Sequence, residues 1–325
     1  METSEEIKEA VEFPDAYFNR SQSFHHSMSL FLATENEDDF NPYLTYNCTT
    51  DSNSFSVDSL SDIILNTWEV YKVGPLWNFN NSDSCLKKYS NALRNELMES
   101  IEDLKIGNAE NIEVILKVRD DISHSENDEA GLQVKIKAVY ENKTSILYLG
   151  YLISWKNRKI KTGESNCLPI LLCCYLRKDI ADVVHMIFSQ LFDTMFEQLK
   201  MYEEDFICFT ALIVGYLQTD CSSLVIYTYR IPGRPKTESL KFKLPLNKVI
   251  QLWKSYNDEV KSIETLLKYQ LSLEKHFQIT FGIHVGQMNL CSMKVLNQVD
   301  LDINGTIMLA SPQALDTLLR FLTNK

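Results

Sequence analysis

Six histidines and eight cysteines are the side chains of widest chemical reach in this 325-residue chain, and their spacing builds no catalytic or metal centre. Cys173-Cys174 is the one vicinal cysteine pair. Adjacent residues do not easily reach one tetrahedral ion together, and the flanking Leu171-Leu172 and Tyr175-Leu176 are apolar, so buried packing is the expected use. His25-His26 lies in an acidic stretch, and His185 on the flank of an apolar helical run. His276 and His284 have no cysteine or carboxylate at catalytic spacing. The ten glycines form neither G-x-G-x-x-G nor a Walker phosphate loop, and HExxH, paired CxxC and G-x-S-x-G are absent. The expectation is a chain with no catalytic residues, cofactor, metal or small-molecule substrate.

Recognition chemistry is better represented. Lys156, Arg158, Lys159 and Lys161 form a basic cluster suited to a phosphate backbone. Arg230, Arg234, Lys236, Lys241 and Lys243 flank a Pro-Gly loop and extend it. No helix-turn-helix or zinc-finger pattern accompanies them, so reading of DNA sequence is not expected.

The stretch from His276 to Ala310 reads as the place where a partner is met. Phe277, Ile279, Phe281, Ile283 and Val285 alternate with Gln278, Thr280, Gly282 and His284, which predicts a strand. Asn304-Gly305 predicts a hairpin with both turn residues at positive φ. A domain ending in strands presents edge groups that must be covered or shared. The interface is expected within Gln287 to Ile303, with Met288, Leu290, Met293, Val295, Val299, Leu301 and Ile303 as apolar anchors.

The elements that must hold these residues follow from periodicity and charge. Residues 1–60 carry twelve acids and two bases, so nearly all of the net charge of −12 belongs to the beginning of the chain. Residues 1–58, also rich in Ser, Asn and Thr, read as a disordered acidic tail. With no run of about 20 apolar residues and no apolar N-terminal segment, neither a membrane span nor a secretory signal is expected, and the cysteines are expected to stay reduced. Beyond the tail, Ser59 is expected to cap a helix with Leu60, Ile63, Ile64, Thr67, Trp68 and Tyr71 on one face, and a second helix is expected from about Asp83 to Lys105. Strands follow at Ile112–Val118, Leu132–Tyr140 and Ser145–Trp155. A long helix is expected over Asp179–Lys200 and another over Glu204–Leu217, then strands at Ser223–Arg230 and Glu238–Leu244. Helices over Asn247–Tyr256 and Asp258–Lys275 lead into the C-terminal stretch, and Ser311-Pro312 opens a last helix. Such blocks predict an α+β fold, antiparallel or mixed curved sheets packed with helices, in two parts at 59–165 and 166–325.

Certain residues, taken in order, resemble the centromere protein L family of the inner kinetochore. They are Trp68-x-x-Tyr71, Pro75-Leu76, Phe79 and Leu86-Lys87-x-Tyr89-Ser90 with Leu93; Cys167-Leu168-Pro169 with Phe188, Phe192-Asp193 and Phe196; and Leu252-Trp253, Glu259-Val260, His276-Phe277-x-Ile279 and the turn at Asn304-Gly305. The blocks span residues 60 to 325. Two features depart from the family: its tail is commonly Ser/Pro-rich and more basic, and the loop at Lys156–Lys161 is not reliably basic there. The resemblance implies a non-enzymatic scaffold of the nucleus, centromere and kinetochore. Such a subunit pairs sheet to sheet with a centromere protein N-like partner and joins centromeric chromatin to other subunits of the constitutive centromere network in chromosome segregation. Two other classes stay open on the residues alone: a direct DNA-binding module centred on Lys156 to Lys161, and a small-molecule enzyme with an unrecognised site.

Overall fold

The computed structural model describes residues 60, 62–99, 111–123, 128–141, 143–155, 166–216, 223–235, 238–256 and 263–323. Eleven strands, β1 (Thr67–Val73), β2 (Asn111–Arg119), β3 (Gly131–Tyr140), β4 (Lys143–Ile153), β5 (Ile170–Tyr175), β6 (Phe196–Gln198), β7 (Leu224–Arg230), β8 (Ser239–Pro245), β9 (Asn289–Val295), β10 (Val299–Asp302) and β11 (Thr306–Leu309), join in one sheet. Its order is β2-β3-β4-β5-β1-β11-β10-β9-β7-β8, with β6 also on β1, and every pairing is antiparallel. The helices are α1 (Asp83–Glu99), α2 (Lys178–Phe192), α3 (Glu203–Tyr216), α4 (Leu246–Ser255), α5 (Ile263–Phe281) and α6 (Pro312–Thr323). The fold is α+β. The parts expected at 59–165 and 166–325 share this sheet, because β1 of the first lies between β5 and β11 of the second.

Two cores lie on opposite faces of the sheet. On one face, Leu86, Leu93 and Leu97 of α1 and Ile180, Val184, Phe188 and Phe192 of α2 cover Val134 and Ile136 of β3, Tyr148 and Leu152 of β4, and Tyr71 and Val73 of β1. On the other, α3 to α6 cover Trp68 and Val70 of β1, Tyr151 of β4, Leu172 of β5 and the inward residues of β7 to β11. Strands β1, β4 and β5 are therefore apolar on both sides, as strands buried on both faces are. The hydrophobic effect of each half is anchored on the same three strands. Helix α3 lies inside the second core, so Phe206 to Ala211 is buried all round and carries no amphipathic stripe.

Three expectations are corrected. In place of the helix expected from Ser59 to Tyr71, residues 62–65 form a turn with Ile63 buried, and β1 follows; Trp68 and Val70 face one core and Tyr71 and Val73 the other, so the spacing imitates a helical stripe. The helix expected to reach Lys200 ends at Phe192, where Asp193 takes the left-handed conformation (φ 46°) and the chain turns back as β6 beside β1. The strand expected over Phe277–Val285 is the last turns of α5 to Phe281, then Gly282 at φ 68° and a short 3₁₀ turn at Val285–Gln287. The buried Leu266, Tyr269, Leu273 and Phe277 form a 3.6-residue stripe, and a helix already formed extends at one hydrogen bond per residue. The alternation from 277 satisfies both periods over so short a window, and it leaves Ile279 74% exposed.

The Asn304-Gly305 turn does join β10 to β11, but only Gly305 has positive φ (76°). The Gly305 N–H donates to the Asp302 carbonyl at 3.0 Å, and the Asp302 carboxylate accepts from the Asn304 N–H at 2.7 Å. This is a three-residue loop with a left-handed glycine, rather than a two-residue turn.

Candidate partner surface

The residues expected to anchor a partner take part in the chain's own core. Leu290, Met293, Val295, Val299 and Leu301 are at most 1% exposed, and Met288 and Ile303 pack against the same cluster. Strand β9 is flanked by β10 and β7, so no open edge exists within Gln287 to Ile303. Outward from these strands point Ser292, Lys294, Asp300 and Asp302, with Lys294 paired to Asp300 at 2.6 Å. Lys156, Arg158, Lys159 and Lys161 lie outside the described residues, as do the tail and His25-His26.

The sheet ends on β2 and β8. Both end strands are paired on one side only among the described residues, and β2 in addition has helix α1 packed against it. The Leu246 N–H donates to the Ser223 carbonyl one residue beyond the β7–β8 ladder. Alternation of antiparallel bonding then turns the main-chain groups of residues 240, 242 and 244 toward β7, and those of Lys241, Lys243 and Pro245 toward the open edge. Pro245 occupies an edge-facing position, where its missing N–H costs no ladder bond. Beside this edge the end of α5 presents apolar surface. Phe281 is 45% exposed and its ring lies 5.3 Å from that of Phe242 in β8, while Phe242 stacks on Phe277 at 4.5 Å. An unpaired strand next to half-exposed Phe281 offers main-chain bonds and an apolar contact together, whereas Ile279 lies on the opposite face of α5. Sequence reasoning missed this site because it assigned α5's end to a strand; the signals in reach were Pro245 and the lysine alternation of β8.

Several groups with acid–base or nucleophilic character are drawn into the core. The Tyr148 hydroxyl and His185 Nε2 are 3.0 Å apart, and the imidazole stacks on Phe196 (5.0 Å) with Tyr71 at its edge (4.5 Å). Burial lowers the His185 pKa to about 4, so the ring is neutral at pH 7. Burial likewise pushes the Cys173 and Cys174 thiols up, away from the thiolate form. Nearby, Lys178 Nζ donates to Tyr71 Oη (3.2 Å), and Gln198 Nε2 bridges Glu69 and the Asn304 carbonyl at 3.1 Å each. This network ties β1, β6 and the β10–β11 hairpin to the start of α2. Among the described residues no His, Cys, Asp and Glu side chains gather as ligands for an ion.

The family model described as centromere protein L matches residues 62–325, which includes every described element. No curated protein matches the chain.

Proposed function

The chain belongs to the centromere protein L family and is thus a centromere and kinetochore protein of the nucleus; from that premise we propose that it acts as a non-enzymatic scaffold. In this reading it pairs with a centromere protein N-like subunit and through it connects centromeric chromatin to other network subunits in chromosome segregation. The observation that carries the proposal is the edge of β8, paired on one side only among the described residues, beside half-exposed Phe281. A partner strand laid along β8 takes its affinity from the edge-facing main chain of Lys241 and Lys243 and a specific apolar contact from α5. The edge is guarded against indiscriminate pairing by those lysines and by Pro245, as natural edges commonly are.

Co-purification of the full chain with a centromere protein N-like chain tests this. Lys243→Pro removes an edge donor without breaking a β7 bond and should abolish co-elution, while Lys243→Ala keeps the donor and should retain it. Phe281→Ser should weaken binding roughly tenfold or more, the worth of burying one large apolar side chain. Unchanged far-ultraviolet circular dichroism establishes that the variants are folded. Equal behaviour of the Pro and Ala variants, or no co-elution of the unmodified chain, would sink the proposal.

A further inference from the structure

The second core covers only one face of the C-terminal half of the sheet. On the opposite face of β11, β10, β9, β7 and β8, no described helix is packed. Its outward residues divide by charge. Toward β1 and β10 lie Glu69, Asp300 and Asp302, all engaged locally: Glu69 accepts from Tyr71 and Gln198, Asp300 from Lys294, and Asp302 from Asn304. Toward the far margin lie Arg230, Lys241 and Lys243, opposite Ser239, Thr228 and Ile226 in the β7–β8 register. Lys241 and Lys243 are exposed, Arg230 is half-buried, and none of the three forms an ion pair among the described residues. Residues two apart on a strand share a face at about 7 Å, so three like charges repel one another across one small patch.

We propose that this basic margin of the open sheet face is the docking site of the chain's own acidic N-terminal segment, centred on Glu35, Glu37, Asp38 and Asp39. Charge complementarity is the first argument. Residues 1–60 hold twelve acids against two bases, and this run holds four acids in five positions. Reach is the second. The N-terminal segment joins the fold beside β11, where Leu60 is buried and the Leu65 N–H donates to the Leu309 carbonyl at 2.8 Å. Leu60 packs on the helix-covered face, so the path to Lys241 and Lys243 runs round the sheet to its other face as well as across four strand spacings, about 19 Å. Twenty residues separate Asp39 from Ser59, and a coil of that length has an end-to-end distance of about 25 Å. A span matched to linker length gives a high effective concentration, so weak ion pairs suffice and a free polyanion must compete with a tethered one. The main chain of β8 stays available, because its edge and its outward side chains point in different directions.

Zero-length carbodiimide cross-linking of the full chain alone, mapped by mass spectrometry, tests the proposal, and its outcome is independent of any partner on the β8 edge. Cross-links should join Glu35 to Asp39 with Lys241 and Lys243 within one chain, persist on dilution and vanish in high salt. A second arm uses the full chain with Glu35→Gln, Glu37→Gln, Asp38→Asn and Asp39→Asn, probed with a random-sequence DNA duplex. Unmasking three cations should raise its affinity about tenfold at low salt and steepen the salt dependence. Cross-links between chains or to other lysines, or duplex binding unchanged by the four substitutions, would overturn the docking. Tight duplex binding by the unmodified chain that protects Lys241 and Lys243 would assign the margin to nucleic acid and overturn it as well.

Discussion

His185 shows how a group with catalytic credentials becomes structural. Its ring lies among Tyr71, Tyr148 and Phe196 and is 7% exposed, so protonating it would place a charge in the core. The folded-state pKa of about 4 lies below the ordinary value of 6.5, so between these limits the unfolded chain binds more protons than the folded one. Stability from this residue is therefore fully present above pH 6.5 and is lost as pH falls toward 4, by about 3 kcal/mol in all. Urea unfolding at a series of pH values should show that loss, and His185→Phe should remove this part of the slope. That variant also strands the Tyr148 hydroxyl, which should cost about 1–3 kcal/mol at neutral pH.

At the scale of elements, the β10–β11 hairpin sets the join between the two halves of the sheet. A Cβ at Gly305 would stand 2.4 Å from the Leu199 carbonyl oxygen, and its φ of 76° strains any other residue. Gly233 has a similar φ of 73° but open space around it. Gly305→Ala should cost more than about 2 kcal/mol, Gly233→Ala only about 1 kcal/mol, the left-handed penalty alone. Denaturant midpoints of the two variants check this, and equal shifts would show that the contact with Leu199 does not constrain the hairpin. The same close approach explains why Asn-Gly was legible as a turn although its type was not. Local sequence marks where the chain can reverse; the strand it packs against selects the loop geometry.

At the scale of the molecule, β1 couples the two cores. It pairs with β5 on one side and with β11 and β6 on the other, placing Trp68 opposite Ile307 across most of the chain's length. Trp68 and Val70 feed one core, Tyr71 and Val73 the other. The two halves should therefore unfold together. Val70→Ala, which opens a small buried void, should lower protection of slowly exchanging amides in β3 and β7 by the same amount, about 2 kcal/mol. Hydrogen exchange measures both, and a loss confined to one half would mean that the shared strands do not transmit stability.

The sequence by itself determined the α+β class, the β2-β3-β4 meander, α6, the absence of familiar catalytic patterns and the likeness to centromere protein L. Each of these rests on residues near one another in the chain or on ordered blocks, and local spacing is enough to reveal them. Tertiary structure alone decided that residues 62–73 are a turn and a strand, that Phe277 to Phe281 belongs to a helix, and that Leu290, Met293 and Val295 are core. Periodicity reports which residues share a face, not what covers that face. A strand buried on both sides loses its alternation, and a five-residue apolar alternation fits helix and strand alike. Strand order cannot be read locally at all, because partners such as Trp68 and Ile307 meet only when the whole sheet closes around them. That order makes β2 and β8 the end strands among the described residues and puts the basic margin on β7 and β8.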